Sequence, residues 1–229
     1  MNKALKIVVE ILLALAAVGL VYLIYTSVMK PVNFNKEKAH RTEVAVQRLK
    51  DIRTLEVAYK GVHGRFTADI DSLKQFYNEG KMDIVMQIGS HDDSLAVANT
   101  AAIKKKNRKI TNEELLALYQ AGQKLVFSIT TPIAVKDTLF HGREDFHIDS
   151  LAYIPFSGGQ KVEMEAIVKT VSGVQVPLFE ARMPWRALLK GMDNQLRINL
   201  DAECENQNKY VGLQVGSVTA PNNNAGNWE

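Results

Sequence analysis

The sequence has a single cysteine, Cys204, among 229 residues. One thiol cannot close a disulfide within the chain, and it excludes a zinc site built mainly from cysteines. Neither sign of charge dominates: 28 Lys and Arg face 25 Asp and Glu, a net charge of +3. The densest basic run, Lys104-Lys105-Lys106-Asn107-Arg108-Lys109, has no interleaved aromatic residue to stack on bases. Nucleic acid is therefore not an expected partner. The run reads as a solvated loop or helix end, with lipid phosphate as the alternative ligand.

Catalytic motifs are missing too. There is no Gly-x-x-x-x-Gly-Lys phosphate loop and no Gly-x-Gly-x-x-Gly. Ser157-Gly158-Gly159 lacks the nucleophile-elbow pattern. Cys204 sits between Glu203 and Glu205, which make it a poor nucleophile. Neither a catalytic residue nor a cofactor is expected on these grounds. His141, Glu144, Asp145 and His147 fall within seven residues, and imidazole with carboxylate suits zinc or another divalent ion. Their spacing matches no established metal motif. His141 and His147 are the best metal candidates in what otherwise reads as a polar loop. His91-Asp92-Asp93 reads as an exposed turn.

What the chain does have is a long apolar run. From Ile11 to Met29 there are 19 residues without a charge. As a helix they span about 28 Å, close to the hydrocarbon core of a bilayer. Backbone groups in lipid must be satisfied internally, so the run is expected to be a transmembrane helix. Tyr22 and Tyr25 lie toward its far end, where aromatic side chains meet headgroups. A cleaved signal peptide is the competing reading. The run is too long for one, and Val28-Met29-Lys30-Pro31-Val32-Asn33 is a poor cleavage site. Glu10 stands at the start of this run. It reads either as the membrane boundary, one turn from Lys6, or as a carboxylate that meets a positive group on a neighbouring copy.

Pro31 to Asn35 is expected to break the helix. Beyond it, Val46, Leu49, Ile52, Leu55, Tyr59 and Val62 recur every three or four residues, the stripe of an amphipathic helix over Lys36–Val62. Glu37 with Arg41 and Glu56 with Lys60 are favourable pairs four residues apart. The stripe either packs on its own domain or forms a coiled-coil contact. Gly61 to Thr67 ends the helix, and Asp69 or Asp71 caps a short second one.

The segment Lys6-Ile7-Val8-Val9-Glu10-Ile11-Leu12-Leu13, with Gly19 nine residues after the Glu, resembles the N-terminus of type IV pilins and type II secretion pseudopilins. Tyr59, Gly64-Arg65-Phe66 and Leu73 stand where that family ends its long helix, turns and starts a short one. The resemblance covers about residues 6–76. It implies a membrane helix that continues as a stalk and a role for Glu10 in neutralising the N-terminal amine of an adjacent subunit. Glu10, Lys6 and Gly19 are thus the assembly candidates. The family's Gly–Phe processing pair is Leu5–Lys6 here, so cleavage by prepilin peptidase is not expected. The helix-kinking Pro usual after the Gly is also absent.

After residue 80 the pattern becomes mixed. Met82–Gly89 is a strand candidate, and Thr111-Asn112-Glu113-Glu114 starts a helix that Gly122 ends. Leu125–Thr130 is a strand, with Ile133–Leu139 continuing as an edge. Val162–Val171 and Val174–Ala181 form a hairpin about Ser172-Gly173, with Pro177 marking an edge or bulge. Leu196–Leu200 and Tyr210–Gly216 are expected as a second antiparallel pair. Pro221–Trp228 is a polar tail that Trp228 docks.

The expected fold is α+β, an N-terminal transmembrane helix continuing into an amphipathic stalk, then a head with an antiparallel sheet. Its parts are an anchor (1–30), a stalk and short helix (31–80), a mixed helical region (81–123), a β head (124–220) and a tail (221–229). The expected function is a single-pass membrane-anchored assembly protein, pilin- or pseudopilin-like, in a cell-envelope filament or secretion complex. Its partners would be membrane lipid and further copies or envelope proteins. A tethered binding module and a tethered enzyme are the alternatives. The expected site is the inner (plasma) membrane, with the N-terminus cytoplasmic and the head outside, as a short basic tail before an apolar run implies. Lys30, Lys36, Lys38 and Arg41 make the Lys and Arg count oppose that orientation.

Overall fold

The computed structural model describes residues 3–229, with side chains from Ile7 onward except that of Val8. Helix α1 runs without interruption from Lys3 to His63. It is long and apolar enough, by length and composition, to cross a membrane. The expected break at Pro31–Asn35 does not occur: Pro31 lies inside the helix. Pro31 has no N–H for the Ser27 carbonyl, and a proline in a helix interior costs about 3 kcal/mol. Packing offsets that cost, because Phe34, only three residues on, is already buried in the head.

From Phe34 onward the head clasps α1. Ala45, Leu49, Ile52 and Leu55 are fully buried on one stripe, with Val46 and Tyr59 partly covered beside them. The amphipathic face is therefore filled by its own chain, while Val62, the last stripe position, stays exposed. Helix α2 (Ile70–Glu79) follows a turn and is N-capped by Asp69, whose carboxylate accepts from the Asp71 and Ser72 amides. Leu73 and Phe76 bring α2 back onto α1, with the Phe76 ring edge-on to Tyr59.

Strand β1 (Lys81–Ile88) pairs antiparallel with β2 (Phe127–Ala134), from Lys81↔Ala134 to Ile88↔Phe127. Between them are α3 (Ser94–Lys106) and α4 (Asn112–Gln120). The ribbon and these helices make an arm whose tip has its own small core of Leu115, Leu125 and Phe127, ringed by Ile88, Ile103 and Ile110. The buried Thr100 hydroxyl donates to the Ala96 carbonyl and accepts from the Val126 amide, tying α3 to the start of β2. β2 passes into a single helical turn, α5 (Val135–Thr138), and does not run on to Leu139.

A 3-10 turn over Ile148–Ala152 precedes the second sheet. Strands β3 (Glu163–Val171) and β4 (Val174–Pro184) form the expected hairpin, joined at Ser172 and Gly173, both with positive φ. After α6 (Trp185–Leu188) and α7 (Asn194–Asn206), β5 (Gly212–Gly216) pairs with β4, giving the order β3-β4-β5. β5 covers only Glu180–Pro184, so Pro177 has a strand on one side alone, where a missing N–H is tolerated.

Leu196–Leu200 is not a strand. It belongs to α7, which the Asp193 side chain caps at the Leu196 amide. Leu196, Leu200 and Cys204 face the core at four-residue spacing, and Ile198, which strict alternation puts inside, is exposed. The tail returns as expected: Gly226 bridges to Val215, Trp228 packs on the core and Glu229 pairs with Arg53 at 2.7 Å.

Candidate functional site

The N-terminal third of α1 is an uncovered apolar surface. Ile11, Leu12, Leu13, Leu15, Val18, Leu20, Val21, Leu23 and Ile24 are all more than half exposed. Glu10 is also exposed in this stretch, and a side chain at Gly19 would meet nothing within 4 Å. Nine residues separate the two, which is roughly half a turn in angle and about 13 Å along the axis. Glu10 and Gly19 thus lie on opposite faces, and the fold does not bring them to one site. Met1 and the side chain of Lys6 lie outside the described residues, so the pairing of Lys6 with Glu10 does too.

Helix α1 carries a further notable carboxylate, one expected to pair with Lys60. Glu56 is fully buried. Its Oε2 accepts from the Thr67 amide at 3.1 Å, and Oε1 has no partner. Burial pushes its pKa up to about 8 against the pull of the Thr67 hydrogen bond, so it is mostly neutral at pH 7. The expected Glu56–Lys60 pair is not formed, because the Lys60 ammonium sits over the Phe66 ring at 5.0 Å. The readable signal was position: Glu56 falls four residues after Ile52, on the buried stripe. The companion pair Glu37–Arg41 does form, at 2.8 Å.

An open groove of about 920 Å³ runs between α1 residues 38–51 and the loop at 143–151. Arg143 spans it, donating to Asp51 at 2.6 Å and to Asp145 at 2.9 Å. These bonds raise the Arg143 pKa and lower that of Asp145, so both stay charged. Arg143 also lies over the stacked rings of Phe140 and Phe146. Asp145, one of the four residues of the metal candidate, is thus already occupied by a guanidinium. His147 lines the groove, and His141 is not among its walls. Among the described residues no three His, Cys, Asp or Glu side chains converge as a metal ion would require. Asp93 of the His91-Asp92-Asp93 turn is the N-cap of α3.

Cys204 is half-buried on the inner side of α7. The basic run forms the last turn of α3 and the loop beyond it, with all five cations exposed. Compared with known protein families, curated proteins and solved structures, the chain matches none.

Proposed function

We propose that this chain is a single-pass membrane-anchored assembly protein, a pilin- or pseudopilin-like subunit of a cell-envelope filament or secretion complex. The observation that carries the reading is the continuity of α1. One helix presents an uncovered apolar surface from Ile7 to Val32 and is then buried in the head from Phe34. A flexible linker would serve a simple tether. A rigid helix sets the height and orientation of the head against the lipid, which lateral packing of many copies requires. The anchor sits in the inner membrane with the N-terminus cytoplasmic and the head outside. Glu10 in an apolar surface costs several kcal/mol unless it finds a positive partner, and a neighbouring copy supplies one.

The test is Glu10→Ala in native membranes, followed by gentle detergent extraction and sedimentation. The variant is expected to lose the larger assemblies while the head melts as in the wild type. Normal assemblies from Glu10→Ala count against the reading. The groove of about 920 Å³ beside α1 favours a second reading, a tethered binding module. A defined small complex with a different protein supports that reading.

A further inference from the structure

The arm formed by β1, β2, α3 and α4 is not used by the reading above. It is a ribbon of two eight-residue strands, about 26 Å long, holding a separately packed tip. The tip carries Lys104, Lys105, Lys106, Arg108 and Lys109, all exposed. Without these five cations the chain has 23 Lys and Arg against 25 Asp and Glu, so its positive surplus lies wholly in this run. One or two cations suffice to complement the C-terminal dipole of α3. Five in six residues repel each other, and among the described residues no ion pair relieves them.

The converse arrangement stands at the end of α7. Glu203 and Glu205 are exposed there, in a last turn with no basic residue. Negative charge at a helix C-terminus opposes the dipole and costs some stability. Asp201 is held by Arg197, whereas Glu203 and Glu205 form no ion pair among the described residues. Among the described residues no hydrogen bond or ion pair joins the two surfaces within one chain. α7 lies beside residues 31–38 of α1, where Glu203 shares a shallow groove with Phe34 and Lys38. The root of the arm, at Met82, lies beside Val57–Gly61. Those positions are separated by about 28 Å along the helix, and no α7 residue joins the core of the tip.

We propose that the basic tip of the arm docks on the acidic end of α7, Glu203 and Glu205, of a second copy of this chain, making a head-to-head contact of the assembly. The inference rests on the assembly reading. Its occupant is chosen by charge complementarity: an exposed basic surface and an exposed acidic one, each unpaired and unfavourable alone, are both displayed by every copy. Several exposed ion pairs in one contact steer encounter and fix register.

The test uses the full chain in membranes. Two differently tagged versions, one Cys204→Ser with Lys105→Cys and one Cys204→Ser with Glu205→Cys, are co-expressed and treated with a short bis-maleimide. A cross-link joining both tags is expected. In parallel, Lys104→Glu/Lys105→Glu/Lys106→Glu is expected to reduce the assembled fraction about tenfold, and adding Glu203→Lys/Glu205→Lys to restore it. The neutral triple Lys→Gln variant, which leaves α3 helical, is expected to act in the same direction with less effect. Melting of each variant checks that the head is folded. Unchanged assembly without a cross-link overturns the docking and leaves the assembly reading standing. A loss that the charge swap does not repair puts the tip on another acidic partner and overturns the assignment to α7. A wild-type chain that stays monomeric in its membrane overturns both.

Discussion

Glu56 offers the sharpest test of the packing described above. Its carboxyl has an ordinary value of 4.5 and is pushed up to about 8 in the folded head. Between those values the folded chain holds a proton that the unfolded chain has released, so stability falls as pH rises. The contribution is fully present below 4.5 and is lost as pH climbs through 8. At about 1.4 kcal/mol per pH unit, and with partial titration at each end, the loss from pH 5 to pH 8 comes to about 3 kcal/mol. Glu56→Gln keeps the shape and an oxygen for the Thr67 amide but cannot ionise. It is expected to match the wild type within about 1 kcal/mol at pH 5 and to exceed it by about 3 kcal/mol at pH 8. Urea unfolding of the intact chain in mild detergent measures this through Trp185 and Trp228, both packed in the head. Parallel pH profiles for the two proteins would refute the reasoning, because they would mean that Glu56 reaches water or a cation.

Other outcomes follow from single contacts. Leu49→Ala removes a fully buried side chain from the face of α1 that the head covers, and is expected to cost about 3 kcal/mol in the same unfolding assay. Gly216→Ala forces a side chain onto a residue with φ +74, with its Cβ against the Phe179 carbonyl oxygen, and is expected to lower the melting temperature as strongly as the core cavity does. Thr111→Ala breaks the capping box of α4 and is expected to cost about 1 kcal/mol, seen as faster amide exchange confined to the arm tip. For orientation, Cys204 in intact spheroplasts is expected to react with a membrane-impermeant maleimide. Protection until the membrane is opened, with reaction in a denatured control, would place the head in the cytoplasm.

Much of this architecture was legible where neighbours in sequence decide it. The uncharged run from Ile11 to Met29 and the stripe through Leu49, Ile52 and Leu55 both read as helix, whatever covers them. Thr111 was readable as a helix cap, and Asp69 as one of two candidates, because the groups they satisfy lie two or three residues away. The Ser172-Gly173 hairpin was readable for the same reason. Errors arose where a local pattern fits two structures. Leu196-Arg197-Ile198-Asn199-Leu200 alternates like a strand and also repeats every four residues like a helix, and the core contacts of Leu196, Leu200 and Cys204 chose the helix. Pro31 looks like a stop only if the burial of Phe34 is unknown.

The sequence alone thus determined a helix of membrane-spanning length, an amphipathic extension of it and an α+β head, since composition and period are properties of the chain itself. Only the tertiary structure decided which partners meet. It paired β1 with β2 across the two helices between them, leaving an arm with a charged tip, and set β5 against β4. It gave Arg143 to Asp51, residues 92 positions apart, and so fixed the guanidinium that also holds Asp145. It also buried Glu56 without a cation, although Lys60 was one turn away, and set the Lys60 ammonium over the Phe66 ring. Contacts between residues distant in sequence depend on groups that the chain brings together only when it folds, and no spacing within the sequence encodes them.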